Sequence, residues 1–235
     1  MFETTREAGV LALERAGTAW LSTGVRGGRV AADAAYCATV PEGWRPADLD
    51  ADVTDRLAAA GHEWTDEPVL LTGVDVAHAR GASLGPVTAV VTAGLSNPAE
   101  LPLSPAGGDL PDGEWVPGTV NVVVGTEESL TEAGLANLVA VAAEAKAATL
   151  LGHAGVPGTT SDAVVAGMDP AGERRQFTGS ATRIGAAARA CVRDALLAAL
   201  DARYGDEDPP GSTETARYGV VTEAEADVFR PGGPS

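Results

Sequence analysis

The sequence predicts an α/β fold built as a layered sandwich of mixed β-sheet and helices, and three observations predict it. Short β-branched runs at 69–76, 87–95, 120–124 and 163–166 have the length and composition of buried strands. Two long apolar-faced helical patterns, at 129–152 and 183–203, flank the last of these runs. Strands come first and then helix, strand and helix, without internal repeat, which is the order of a layered domain and not of a helical bundle.

In chain order, residues 9–23 read as two short strands about Ala16-Gly17, and Gly24 to Gly28 as a second turn before an Ala-rich stretch that ends at Val40-Pro41. Residues 46–67 carry seven carboxylates and read as exposed loop and short helix. The helix from Ser129 opens on a capping-box pattern, Ser129 with Glu132, and stops at Gly152. The second long helix carries Ile184, Ala188, Cys191 and Ala195 at helical spacing and ends at Tyr204-Gly205. These elements predict one domain over 1–205 and an acidic, Pro/Gly-rich extension over 206–235 with a frayed end.

Composition narrows the partners. Asp and Glu number 33 against 16 Lys and Arg, a net charge of −17, so nucleic acid and an anionic membrane surface are not expected as partners. Such a surface fits a very salty cytoplasm, where screening removes most self-repulsion. Cys37 and Cys191 form neither a disulfide framework nor a metal cluster, and the N-terminal stretch has no long apolar run. The expectation is a soluble cytoplasmic protein, open to homo-oligomer formation, with no metal site and no cofactor of its own.

The chain has a single lysine, Lys146. On the helix it lies within about 80° of Leu135, Leu138, Val139, Ala142 and Leu150, whereas Glu144 points away. A charge on an apolar face calls for a carboxylate, a carbonyl or a substrate; a stem that snorkels to the rim of the core also fits. Asp75, inside the apolar run 70–76, is a candidate partner.

Other polar stretches interrupt apolar ones. Thr92 to Pro98 ends a strand with Ser96 and Asn97, as a binding loop or an Asn-Pro turn would. In Gly118 to Val124, alternation puts Thr119 and Asn121 on one strand face, roughly 6–7 Å apart, suited to nucleophile and oxyanion donor or simply to mutual hydrogen bonding. Gly158 to Asp162 offers Thr159, Thr160, Ser161 and a carboxylate. Thr178 to Thr182, with Ser180, leads into the second long helix and reads as a polar-group site or an N-cap. A G-x-S-x-G elbow, a P-loop, a dinucleotide fingerprint and metal-ligand histidine spacing are all missing.

Read together, STGVRGG (22–28), LTGVDV (71–76), VTAGLSNP (91–98), GTVNVVV (118–124), EAKAATL (144–150), GTTSDAVVA (158–166) and TGSATRIG (178–185) resemble the ordered motif series of the adenosylcobinamide amidohydrolases. At GTTSD, Thr160 and Ser161 stand where the family more often has Gly and Thr. The resemblance implies hydrolysis of the amide joining aminopropanol to the propionate arm of adenosylcobinamide, giving adenosylcobyric acid in corrinoid salvage, with cobalt present only as part of the substrate. The run Thr119 to Glu127 is also similar to the segment that begins with the nucleophilic Ser of self-processing aminopeptidases of the amino-terminal-nucleophile type, which implies a layered α/β sandwich related to theirs.

Amide hydrolysis then assigns roles: Thr119 the hydroxyl, Asn121 and Asn97 the oxyanion donors, Lys146 the proton traffic, and Asp75 or Asp162 the charge that positions Lys146. Ser96, Asn97, Thr159, Thr178, Ser180 and Asp75 are expected against substrate. A wide cleft between the glycine-rich loops 22–28 and 92–98 is expected, with Trp20 or Trp44 against the corrin or adenine or in the core. Two rival readings stay open, a peptidase-like hydrolase of small amides and a non-catalytic corrinoid carrier.

Overall fold

A computed structural model describes residues 1–110 and 119–232; residues 111–118, 233–235 and the side chain of Thr119 lie outside the described residues. The chain runs β1 (Glu3–Glu7), β2 (Val10–Ser22), β3 (Gly28–Thr39), α1 (Leu49–Ala59), β4 (Val69–Thr72), β5 (Arg80–Leu84), β6 (Val87–Gly94), β7 (Ala99–Glu100), β8 (Thr119–Thr126), β9 (Ser129–Leu130), α2 (Glu132–Ala154), β10 (Ala163–Met168), β11 (Arg174–Arg175), α3 (Arg183–Tyr204) and β12 (Val220–Val221). The main sheet is mixed, in the order β4-β3-β2-β10-β8-β6-β5, with β1 also on β2.

This sheet folds over on itself. Strands four places apart in a flat sheet would lie about 19 Å apart, yet Asn121 Nδ2 on β8 donates to the Leu71 carbonyl on β4 at 2.8 Å. The bend is at β2, whose register against β3 shifts between Glu14 and Thr18. The extra residues change which side chains face inward: Leu11 and Leu13 before the shift, Trp20 after it, all share one core with Cys37, Leu70, Val123 and Val165. The expected turn at Ala16-Gly17 is therefore a bulge in one long strand, with Gly17 at φ 68°.

Alternation then builds the layers. Val10, Ala12, Ala34, Tyr36 and Val69 face outward to Val53 and Leu57 of α1. Val120, Val122, Val124, Val164 and Ala166 face outward to Leu135, Leu138 and Ala142 of α2 and to Ala188, Val192 and Leu196 of α3. The result is a mixed α/β sandwich, helix, sheet, sheet, helix. In length and composition α2 could cross a membrane, but Leu135, Leu138, Val141, Ala142, Ala145 and Leu150 are buried in this core.

Several local expectations change. The strand expected over 69–76 ends at Thr72, and Asp75 caps a short 3-10 turn, accepting from Ala77 N at 2.8 Å. The α2 cap is Thr131, whose hydroxyl accepts from Gly134 N at 3.1 Å. Ser129 instead pairs with Arg174 in the two-stranded β9–β11 ribbon. The strands β1 and β5 had no apolar signature, since almost every residue in them is exposed or half-exposed.

Candidate active site

The strands β8 and β10 are parallel neighbours with Ala163 opposite Asn121, and α2 is the crossover between them. That geometry puts Asp162, the residue before β10, beside the first residues of β8. Asp162 Oδ1 accepts from Val120 N at 3.1 Å, and Oδ2 accepts from Thr159 N at 3.0 Å. The Thr159 hydroxyl donates to Oδ1 as well. Onto this carboxylate comes Lys146 from α2: its Nζ forms an ion pair with Asp162 Oδ2 and donates to the Pro157 carbonyl at 3.3 Å. Lys146 is 8% exposed, and the side chain of Asp162 12%.

The apolar-face lysine thus has its carboxylate, and it is Asp162; Asp75 is exposed on the 3-10 turn and does not reach it. With three other donors on Asp162, the pair satisfies the condition for burying two charges, that hydrogen bonds replace the lost water. Gly158 closes the arrangement. A Cβ at this position would overlap both Asp162 Oδ2 and Lys146 Nζ.

Asn97 ties the neighbouring loop to the same turn. Its Nδ2 donates to Thr160 Oγ1 at 2.5 Å and its carbonyl accepts from Thr160 N at 3.2 Å, while Ala99 N donates to the Gly158 carbonyl at 2.9 Å. Asn97 and Asn121 are both buried, and each has a side-chain carbonyl oxygen without a hydrogen-bond partner. The Asn97 carboxamide nitrogen makes one hydrogen bond and carries a second N–H. Asn121 lies in the inter-sheet layer with Thr92 and Cys37, around a small void of about 10 Å³. Burial pushes the Cys37 thiol up to about 11, against the opposing hydrogen bonds of Thr92 and Asn121.

An open cleft of about 310 Å³ lies where the two sheet halves part, lined by Gly73 after β4, Ser96 after β6, Trp44, Arg45 and Arg203. Arg203 reaches from the end of α3 over Gly94, the strand partner of Thr119. Ser96 is exposed in this cleft, and Trp44 borders it. Trp20 is core: it is fully buried, stacks on Phe2 at 5.4 Å and donates from Nε1 to the Ala32 carbonyl at 3.0 Å. Loop 22–28 is a tight β2–β3 turn with Gly24 pressed against the Val69 carbonyl, so it does not form an open wall.

The turn at 178–182 stays apart. Thr178 Oγ1 donates to the Gly134 carbonyl at 2.7 Å, near the start of α2, twelve residues or about 18 Å of helix from Lys146. Thr182 caps α3 through Gly185 N at 3.0 Å, and Ser180 is exposed beside it. Thr178 and Ser180 therefore do not join Lys146. The nucleophile expected at Thr119 has its backbone at the start of β8, and its side chain falls outside the described residues. Sequence reasoning missed Gly158 and Arg203; a glycine six residues after the Gly152 stop signal and an arginine in the last turn of a helix have ordinary local explanations.

Comparison with known proteins gives the chain its kin. The sequence model of the adenosylcobinamide amidohydrolase family matches residues 1–208. The chain belongs to this family. An adenosylcobinamide amidohydrolase of Halobacterium salinarum is 58% identical over 233 residues, 98% of this chain and 100% of that protein. Another, from Methanosarcina mazei, is 26% identical over 193 residues, 78% of this chain and 90% of that one. No solved structure matches. The −17 charge fits kinship with a Halobacterium protein.

Proposed function

We propose that the protein is the adenosylcobinamide hydrolase of a salt-rich cytoplasm, adding water across the amide between aminopropanol and the propionate arm to release aminopropanol and leave adenosylcobyric acid. The observation that carries this reading is the one lysine of an acidic family member, buried in an ion pair with Asp162 at the edge of β8. Amide hydrolysis needs a nucleophile, a counter-charge for the tetrahedral oxyanion and a proton for the departing amine.

Held against Asp162, the Lys146 amine is placed to supply the last two. It protonates the departing nitrogen and is recharged by the proton of the attacking Thr119 hydroxyl; water then hydrolyses the resulting Thr119 ester, giving the carboxylic acid and restoring the hydroxyl. Asp162 positions it, and Thr159 and Val120 N hold Asp162. Asn97, with its spare N–H beside the same turn, suits the oxyanion. Thr119, at the start of β8, is the nucleophile in this scheme, and the corrinoid lies in the cleft bordered by Ser96 and Trp44.

The test is chromatographic: purified protein with adenosylcobinamide, from dilute buffer to molar KCl. Adenosylcobyric acid and aminopropanol should appear in equal amounts, with stability and rate rising with salt as −17 is screened. Unchanged corrinoid at every salt concentration refutes the enzyme, and stoichiometric binding without product would make it a carrier.

A further inference from the structure

The family match ends at residue 208, yet the chain beyond it returns to the site. Tyr218 N donates to the Ser96 carbonyl at 3.1 Å, Val220 N to Pro98 at 3.0 Å and Thr222 N to Glu100 at 3.0 Å. The strand β12 thereby lies parallel to β7, with Val220 beside Ala99. On its other side the same loop is bonded to the Gly158–Thr160 turn, through Ala99 N, Asn97 and a bridge from Pro98 to Thr159. Loop 96–100 is thus the middle of a ribbon whose one edge holds Asp162 and Lys146 and whose other edge is residues 218–222.

Two side chains of this strap enter the cleft. Arg217 and Tyr218 line it together with Gly73 and Arg203. Arg217 is paired with Glu42 across the opening, and its guanidinium stacks on Tyr218 at 5.4 Å. The Arg217 side chain stays 67% exposed in this pairing, so guanidinium N–H groups remain open to solvent at the cleft it lines. Gly219 sets the approach: at φ 151° its missing Cβ leaves room for the Pro98 carbonyl 2.8 Å from where it would stand.

We infer that residues 212–223 complete the substrate cleft, with Arg217 and Tyr218 as specificity-determining residues that bind oxygen acceptors on the substrate's periphery, whether amide carbonyls or a phosphate. The inference rests on the proposed reaction for its substrate. Guanidinium N–H groups in a concave site suit such oxygens. The extension is then a wall of the site and not an appendage.

The test uses the full chain with Arg217→Gln, Tyr218→Ala and Gly219→Val. Arg217→Gln should raise KM for adenosylcobinamide by about tenfold with kcat within about twofold, the signature of binding away from the reacting bond. Tyr218→Ala should raise KM less, and Gly219→Val, which undocks the strap, at least as much as Arg217→Gln while opening the chain to trypsin at Arg217. A greater penalty on phosphorylated than on plain adenosylcobinamide assigns the acceptor to phosphate; equal penalties assign it to amide carbonyls. If KM is unmoved in Arg217→Gln and Tyr218→Ala, or in a Gly219→Val protein whose strap trypsin shows to be released, the inference is wrong. Should the wild type turn nothing over, the proposed reaction fails, and equilibrium dialysis of adenosylcobinamide against the same variants decides the cleft by the same shifts in Kd.

Discussion

Two turns of this protein look alike as sequence and differ as chemistry. Gly158 to Asp162 and Thr178 to Thr182 are both short, hydroxyl-rich and set before a regular element. In the second, Thr182 caps α3 and Thr178 ties α2, while Ser180 is exposed. In the first, the hydroxyl and backbone N–H of Thr159 serve a carboxylate, and that carboxylate serves a buried amine. What separates a site from a cap here is the unlike charge brought in from α2.

The comparison breaks first at Lys146. Lys146→Arg keeps charge and cannot release a proton, so turnover should fall by at least about a hundredfold in a folded protein. Lys146→Met should fold as well, because Asp162 keeps its bonds from Thr159 and Val120. Full turnover in Lys146→Arg, measured by release of aminopropanol, would reduce the lysine to a counter-charge and move the proton chemistry elsewhere.

Next comes Gly158→Ala. Its Cβ would enter the space of the ion pair, so the pair must separate; we expect about a tenfold loss of kcat with the melting temperature little changed, the scale of a displaced catalytic group. An unaltered kcat would show that the Lys146–Asp162 contact is dispensable.

A pH scan probes the inter-sheet layer beside Asn121, where the Cys37 thiol is buried. Cys37 has its folded pKa raised to about 11 by burial, so its contribution is complete below the ordinary thiol value and is lost as pH climbs toward 11. The loss runs at about 1.4 kcal/mol per pH unit in that window. Denaturant melts at pH 7.5 and pH 10 should show a smaller decline for Cys37→Ala than for wild type; equal declines would contradict it.

The smallest effect belongs to the other turn. Thr182→Ala removes the α3 cap and should lower stability by about 1 kcal/mol in urea melts, with turnover unchanged. A fall in kcat would put the 178–182 turn back in the site.

Much of this was legible before any coordinates. Strands β6, β8 and β10 and both long helices followed from Val-rich runs and helical spacing, because each buries a face in one contiguous core. Exposed β1 and β5 left no such trace. The position of Lys146 on an apolar face was readable, but its partner was not: Asp75 sits in the more apolar run, and only the parallel pairing of β8 with β10 brings Asp162 under α2. Nor could alternation reveal that the sheet doubles over. That depends on the shift at 14–18 in β2, which locally reads as an ordinary turn.

The lone lysine has a practical consequence. A chain with one ε-amine, ion-paired and only 8% exposed, gives a single nitrogen resonance when grown on lysine isotope-labelled at the ε-nitrogen alone. That signal needs no assignment, and its response to pH, salt and corrinoid reports from inside the site itself.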